Sequence, residues 1–186
     1  MNQPKRKQKG YDDMKKILMV IDMQNDFING TLGTREAEAI VPDVVRAVNE
    51  FEGEVIFTRD THFENYDETL EGKKLPVKHC IKGTEGWEIC AELQKTEAYK
   101  KGRIIDKVTF GSEEAARIMS EEKPDEVYMT GLCTDICVIS NSMLIRAFSP
   151  ETDITVFENC CAGVSPETHR NALEAMKMCQ INVQTF

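Results

Sequence analysis

The 186-residue chain contains no run of about eighteen apolar residues and no apolar signal core near its N-terminus, so neither a membrane span nor secretion is expected. It also lacks an internal repeat and a low-complexity linker. Its length and 41% apolar composition supply one full core and too little for two ordinary domains. No disulfide framework is legible: the seven cysteines are odd in number and scattered, several of them inside strand or helix patterns, as free thiols of a cytoplasmic protein are. Positive charge is scarce beyond the N-terminus. Residues 1–16 hold six basic and two acidic side chains, a net +4, so the other 170 residues carry −13 of the formal −9. A body of that sign repels polyanions, and neither nucleic acid nor a membrane surface is expected as a partner. The basic run Lys5-Arg6-Lys7-Gln8-Lys9 reads as part of a solvated, disordered tail over 1–15, followed by one folded domain over 16–186.

What is present is an alternation of strand and helix patterns. Ile17-Leu18-Met19-Val20-Ile21 is a continuous apolar run, as in a central parallel strand buried on both faces, and it stops at Asp22. Further strands are expected over 54–59, 103–108, 126–130, 153–157 and 181–184. Helices are expected over 35–51, 87–95, 112–122, 134–147 and 166–179, the last capped by Ser165. Residues 60–86 form a polar stretch with little periodicity, and a loop of that length usually carries function or is disordered. The order predicts an α/β fold with right-handed crossovers, a parallel sheet and helices on both faces. In such sheets the working site lies beyond the carboxyl ends of the strands, where strand order reverses.

Three chemically capable side chains sit at such ends. Asp22 closes the first strand, Lys107 the strand before Thr109-Phe110-Gly111, and Cys137 opens the helix after the strand 126–130. Thr134 is placed to act as N-cap, leaving Cys137 in a first turn whose positive dipole end favours thiolate over thiol. Each residue alone has a plainer explanation: a core cysteine, a capping aspartate, a surface lysine. Together they can work, because a carboxylate can take the thiol proton, a lysine can hold the carboxylate ionised, and the thiolate can attack a carbonyl. In the polar loop, Asp60, His62 and His79 offer carboxylate and imidazole groups suited to zinc, iron or manganese, unless the histidines merely hydrogen-bond within the loop.

Four stretches give the chain a family resemblance: Val20-Ile21-Asp22-Met23-Gln24-Asn25-Asp26-Phe27, Asp60-Thr61-His62, Pro76-Val77-Lys78-His79-Cys80-Ile81-Lys82-Gly83-Thr84, and Thr130-Gly131-Leu132-Cys133-Thr134-Asp135-Ile136-Cys137-Val138. With these motifs the chain resembles the isochorismatase-like cysteine hydrolases, and within them the nicotinamidases, over essentially residues 16–186. The resemblance implies a three-layer α/β/α sandwich around a six-stranded parallel sheet, and a triad of Asp22, Lys107 and Cys137. It also implies a cis peptide at Leu132–Cys133 and an oxyanion hole from the backbone N–H groups of Cys133 and Cys137, with the Cys133 thiol a spectator. Nicotinamidases bind one divalent metal through Asp-x-His, a third ligand in the following loop, and a later histidine. Here that gives Asp60, His62 and His79, with zinc the first expectation and iron or manganese the others.

The usual third histidine is absent, since the remaining one, His169, stands far off in a helix. Glu71 has the right spacing to replace it, with Glu68 and Glu64 behind it. Two departures stand out: the Pro76–His79 stretch is one residue longer than the pattern, and Leu75 replaces a common tryptophan. The resemblance implies that Phe27 stacks on a substrate ring, unless it simply packs in the core after the turn, and Asn25, Tyr66 and Phe110 are further candidates for the pocket. The reading is a metal-containing amidohydrolase of small amides, nicotinamide first, and a homo-oligomer. Its rivals are an N-carbamoyl or ureido-acid amidase, an isochorismatase, and a redox-responsive thiol protein without enzymatic activity.

Overall fold

The computed structural model describes residues 14–186. The tail expected over 1–15 lies outside the described residues except for Met14 and Lys15. Lys15 is already tied to the body, its N–H donating to Asp125 Oδ2 at 2.8 Å and its Nζ pairing with Glu122 at 2.6 Å.

In chain order the elements are β1 (Lys16–Ile21), α1 (Asn25–Ile28), α2 (Arg35–Glu50), β2 (Glu54–Asp60), a 3₁₀ turn (Tyr66–Glu68), α3 (Leu70–Lys74), α4 (Ala91–Gln94), α5 (Glu97–Lys101), β3 (Arg103–Lys107), α6 (Glu113–Glu122), β4 (Glu126–Leu132), a π turn (Thr134–Val138), α7 (Ile139–Phe148), β5 (Asp153–Ala162), α8 (Pro166–Met178) and β6 (Asn182–Gln184). The strands form one six-stranded sheet in the order β3-β2-β1-β4-β5-β6. Every neighbouring pair is parallel. Period-two alternation along β1 builds the two cores: Leu18 and Val20 pack toward Ala37, Val44 and Val48 of α2, while Ile17, Met19 and Ile21 face Met119 of α6, Ile145 of α7 and Met176 of α8. Helices therefore cover both faces, giving the expected α/β/α sandwich. Side-chain caps fix the long helices, Thr34 for α2, Ser112 for α6 and Ser165 for α8.

Successive strands step one way from β1 through β2 to β3 and the other way from β4 through β5 to β6, so strand order reverses between β1 and β4. At that point Gly131 has φ +109, and a Cβ there would lie 2.0 Å from the Ile21 carbonyl oxygen. Glycine lets the two central strands stay close to their very ends. Several elements differ from the sequence expectation. Of the helix expected over 87–95 only 91–94 is helical, as α4, and α5 follows beyond it. β4 and β5 run on to Leu132 and Ala162, with a register shift between Met129 and Gly131. The polar loop 60–86 holds α3. Among the described residues no helix is long and apolar enough to cross a membrane.

Candidate active site

Asp22 leaves β1 in a left-handed turn, φ +46, a conformation that aspartate tolerates better than bulkier residues. Its carboxylate is fully buried. Thr58 of β2 donates to Asp22 Oδ1 at 2.6 Å, and Lys107 Nζ lies 2.7 Å from Oδ2. Lys107 ends β3 two strands away, and its ammonium is the hub of the site. It also donates to the Thr109 carbonyl at 3.0 Å and to Asp60 Oδ1 at 3.2 Å, and stands 3.5 Å from Cys137 Sγ. Burial alone would lower the lysine pKa, but the charges of Asp22, Cys137 and Asp60 outweigh it and hold Lys107 protonated, above the ordinary lysine value.

Cys137 is reached differently from the sequence expectation. Thr134 is no N-cap: it begins the π turn, is fully buried, and places its hydroxyl 2.8 Å from His169 Nδ1. Nor does a helix dipole lower the thiol pKa. Burial pushes it well above the ordinary value, the nearby Asp22 charge adds to this, and Lys107 opposes. One helical turn of dipole weighs little beside full desolvation of a thiolate. Burial raises the Asp22 pKa as well, against Lys107. Thiol and carboxylate thus both hold a proton more firmly than in water, and a proton can pass between them beside a fixed cation. The Leu132–Cys133 peptide is cis, as the resemblance implied. The Cys133 thiol is pushed up to about 12 by burial and by the charges of Asp135 and Asp22, which leaves it un-ionised at neutral pH.

A second cluster adjoins this one through Asp60. Asp60, His62, Glu71 and His79 each offer one ligand atom, all within 4.8 Å of one another. Asp60 Oδ2 lies 3.0 Å from His62 Nε2, and Glu71 Oε1 lies 3.5 and 3.7 Å from the Nε2 atoms of His62 and His79. His62 Nε2 is buried and makes no hydrogen bond, whereas His79 Nδ1 is 2.8 Å from the Val77 carbonyl. That bond requires the proton on Nδ1 and turns the Nε2 lone pair toward the other three groups. Burial opposes charge on His62, but Asp60 and Glu71 prevail and raise its pKa to about 9. Asp60 is held well below the carboxylate range: the two histidines and Lys107 overcome its own burial. A divalent cation there would take the place of the His62 proton beside Asp60. The donor set of two imidazoles and two carboxylates fits such an ion.

A cavity of about 460 Å³ opens onto this cluster, lined among others by His62, Glu71, Leu75, Thr109, Phe110 and Ile136. Its size is that of a small-molecule site.

The isochorismatase domain profile matches residues 16–186. The chain belongs to the isochorismatase family. It is 30% identical to the family member PncA of Bacillus subtilis (strain 168) over 86% of this chain and 93% of that one, and 24% identical to a nicotinamidase of Saccharomyces cerevisiae over 90% and 98%. Among solved structures it is similar to the nicotinamidase/pyrazinamidase PncA from Bacillus subtilis, with a TM-score of 0.80 and 29% identity, covering 92% of this chain and 100% of that one. It is also similar to the pyrazinamidase of Pyrococcus horikoshii in complex with zinc, with a TM-score of 0.79 and 25% identity, covering 92% and 99%.

Of the candidate glutamates, Glu71 is the one that reaches this cluster. Its place in the first turn of α3 brings the carboxylate to the histidines, and neither Glu64 nor Glu68 belongs to the cluster. The lengthened Pro76–His79 stretch still delivers His79, whose ring bonds back to Val77. Tyr66 is a wall of this cluster, its ring 4.8 and 5.2 Å from those of His62 and His79 and its hydroxyl donating to the Leu75 carbonyl. Phe27 lies 5.5 Å from His79, Phe110 lines the cavity, and Asn25 donates to the Glu85 carbonyl.

Two working residues escaped the sequence reading. Thr58 orients Asp22. Gln24, fully buried, clamps the Asp60 backbone by accepting from its N–H at 2.7 Å and donating to its carbonyl at 2.8 Å. A polar residue in the Asp22 motif was the available signal, but only the fold places it against β2. Gln24→Ala is expected to cost about 1–3 kcal/mol of stability by urea unfolding, because buried backbone groups lose their partner. If the Asp60 cluster holds a divalent cation, the substitution should also weaken that binding by roughly 10–100-fold, as loss of an outer support does.

Proposed function

We propose that the protein hydrolyses nicotinamide to nicotinate and ammonia through a thioester on Cys137. The observation that carries this reading is the position of Lys107 Nζ, 2.7 Å from Asp22, 3.5 Å from Cys137 Sγ and 3.2 Å from Asp60, which joins a nucleophile–base pair to a metal-ligand cluster in one buried site. Asp22 takes the Cys137 proton as sulfur bonds to the carboxamide carbon, and Lys107 keeps its charge throughout. The oxygen of the tetrahedral adduct is held by the backbone N–H groups of Cys133 and Cys137. The C–N bond breaks and ammonia leaves with the proton from Asp22. Asp22 then deprotonates the water that cleaves the thioester, and returns that proton to the departing sulfur.

Asp60, His62, Glu71 and His79 would hold one divalent cation, zinc in the first instance. When bound it supplies a Lewis acid for the pyridine nitrogen, which orients substrate rather than activating water. The zinc complex of the similar pyrazinamidase supports this assignment. Phe27 contributes an aromatic face toward the ring.

An ammonia-release assay tests the reading. Nicotinamide should yield ammonia and nicotinate one to one under reducing conditions, with N-carbamoyl amino acids and isochorismate turned over far more slowly. Release of ammonia from an N-carbamoyl acid but not from nicotinamide overturns the substrate, and no amide turnover at all overturns the enzyme.

A further inference from the structure

We propose that His169 is a positioning residue: by holding Thr134 it fixes the turn that carries Cys137, and thereby sets the rate of acyl transfer. The kinetic part of this inference rests on the amidohydrolase reading above. His169 is a member of neither the triad nor the metal cluster, yet its Nδ1 lies 2.8 Å from the hydroxyl of the fully buried Thr134. The next residue of the turn is tied to the same region, since both carboxylate oxygens of Asp135 accept from the Val164 N–H at 3.2 Å. Two consecutive residues of the nucleophile turn are thus fastened to α8 and the loop that enters it.

That anchor is well seated. The Ser165 side chain caps α8, and Leu173 and Met176 bury it in the core. At Gly163 a Cβ would come within 2.9 Å of the His169 backbone nitrogen and 3.0 Å of its Cα, so the absence of a side chain lets the loop close on the helix. Burial, helped by Arg170, lowers the His169 pKa against Glu158 and Asp135, keeping the ring neutral at pH 7.

On the other side, the Cys133 carbonyl accepts from the N–H groups of Ile136 and Val138 at 3.1 and 3.0 Å, and Cys137 stands between those two residues. Any displacement of Thr134 therefore moves the sulfur and the N–H groups of Cys133 and Cys137 together. A shift of this kind costs rate more than substrate binding, because the oxyanion contacts tighten only as the reaction proceeds.

The test combines kinetics with amide hydrogen exchange on folded variants of matched melting temperature. His169→Ala should lower kcat for nicotinamide by about 10–100-fold, the scale of a misaligned oxyanion donor, with KM changed less than about threefold. Exchange at Ile136 and Val138 should speed up. His169→Asn, whose side-chain amide can occupy the place of Nδ1, should recover most of both. Thr134→Val should match His169→Ala, and the double variant should be no worse than either single one, as for residues acting through one bond. Unchanged kcat in His169→Ala, or losses that multiply in the double variant, overturns the proposal. Unchanged exchange at Ile136 and Val138 overturns it whatever the substrate proves to be, whereas wild-type protein inactive on nicotinamide overturns only the amidase reading.

Discussion

Cys137→Ala is expected to lower kcat for nicotinamide by at least about a thousandfold, the scale of nucleophile loss in comparable acyl-transfer enzymes. The substitution removes one buried sulfur, so the fold should survive and far-UV circular dichroism should be unchanged. Asp22→Asn should fall nearly as far, because an amide cannot take the proton of a thiol whose own pKa is raised by burial. Cys133→Ala should stay within about tenfold of wild type: only its backbone N–H is required, and a thiol pushed up to about 12 is no nucleophile at pH 7. Acid-quenched turnover followed by mass spectrometry should find the acyl group on the peptide containing Cys137. Activity in Cys137→Ala above a thousandth of wild type excludes the thioester route.

Removing the metal should have the next largest effect, and a selective one. Elemental analysis should find about one divalent ion per chain, lost in His62→Ala and reduced in Glu71→Ala. Nicotinamide turnover should fall strongly with it, while benzamide, which lacks the pyridine nitrogen, should be affected far less. The pH dependence has a definite sign. Without metal, His62 holds a proton up to about pH 9, and a ligand must be deprotonated to bind. Metal affinity should therefore rise with pH until about 9 and level off above it, read by competition titration with a chelator. Full nicotinamidase activity in metal-free protein would sink the orienting role.

The sequence by itself determined the architecture and nominated most of the candidate site. The apolar run 17–21 ending at Asp22 and the steady alternation of strand and helix patterns specify a parallel sheet covered on both faces. Strand ends then nominate Asp22, Lys107 and Cys137, because a buried strand that stops at a polar residue delivers that side chain to the sheet edge. Asp60, His62 and His79 were legible from residue type and spacing.

Tertiary structure alone decided what distance and burial decide. Glu71 entered the cluster and Glu64 and Glu68 did not, because only the first turn of α3 faces the histidines. Thr134 turned out to bond His169 rather than cap a helix, a pairing between residues thirty-five positions apart. The Cys137 thiol rose in pKa where local dipole reasoning lowered it. A helix end acts through its own few residues and can be read from neighbouring sequence. Desolvation is imposed by the whole surrounding core, and the charges of Asp22, Lys107 and Asp60 converge on the sulfur from the carboxyl ends of three different strands.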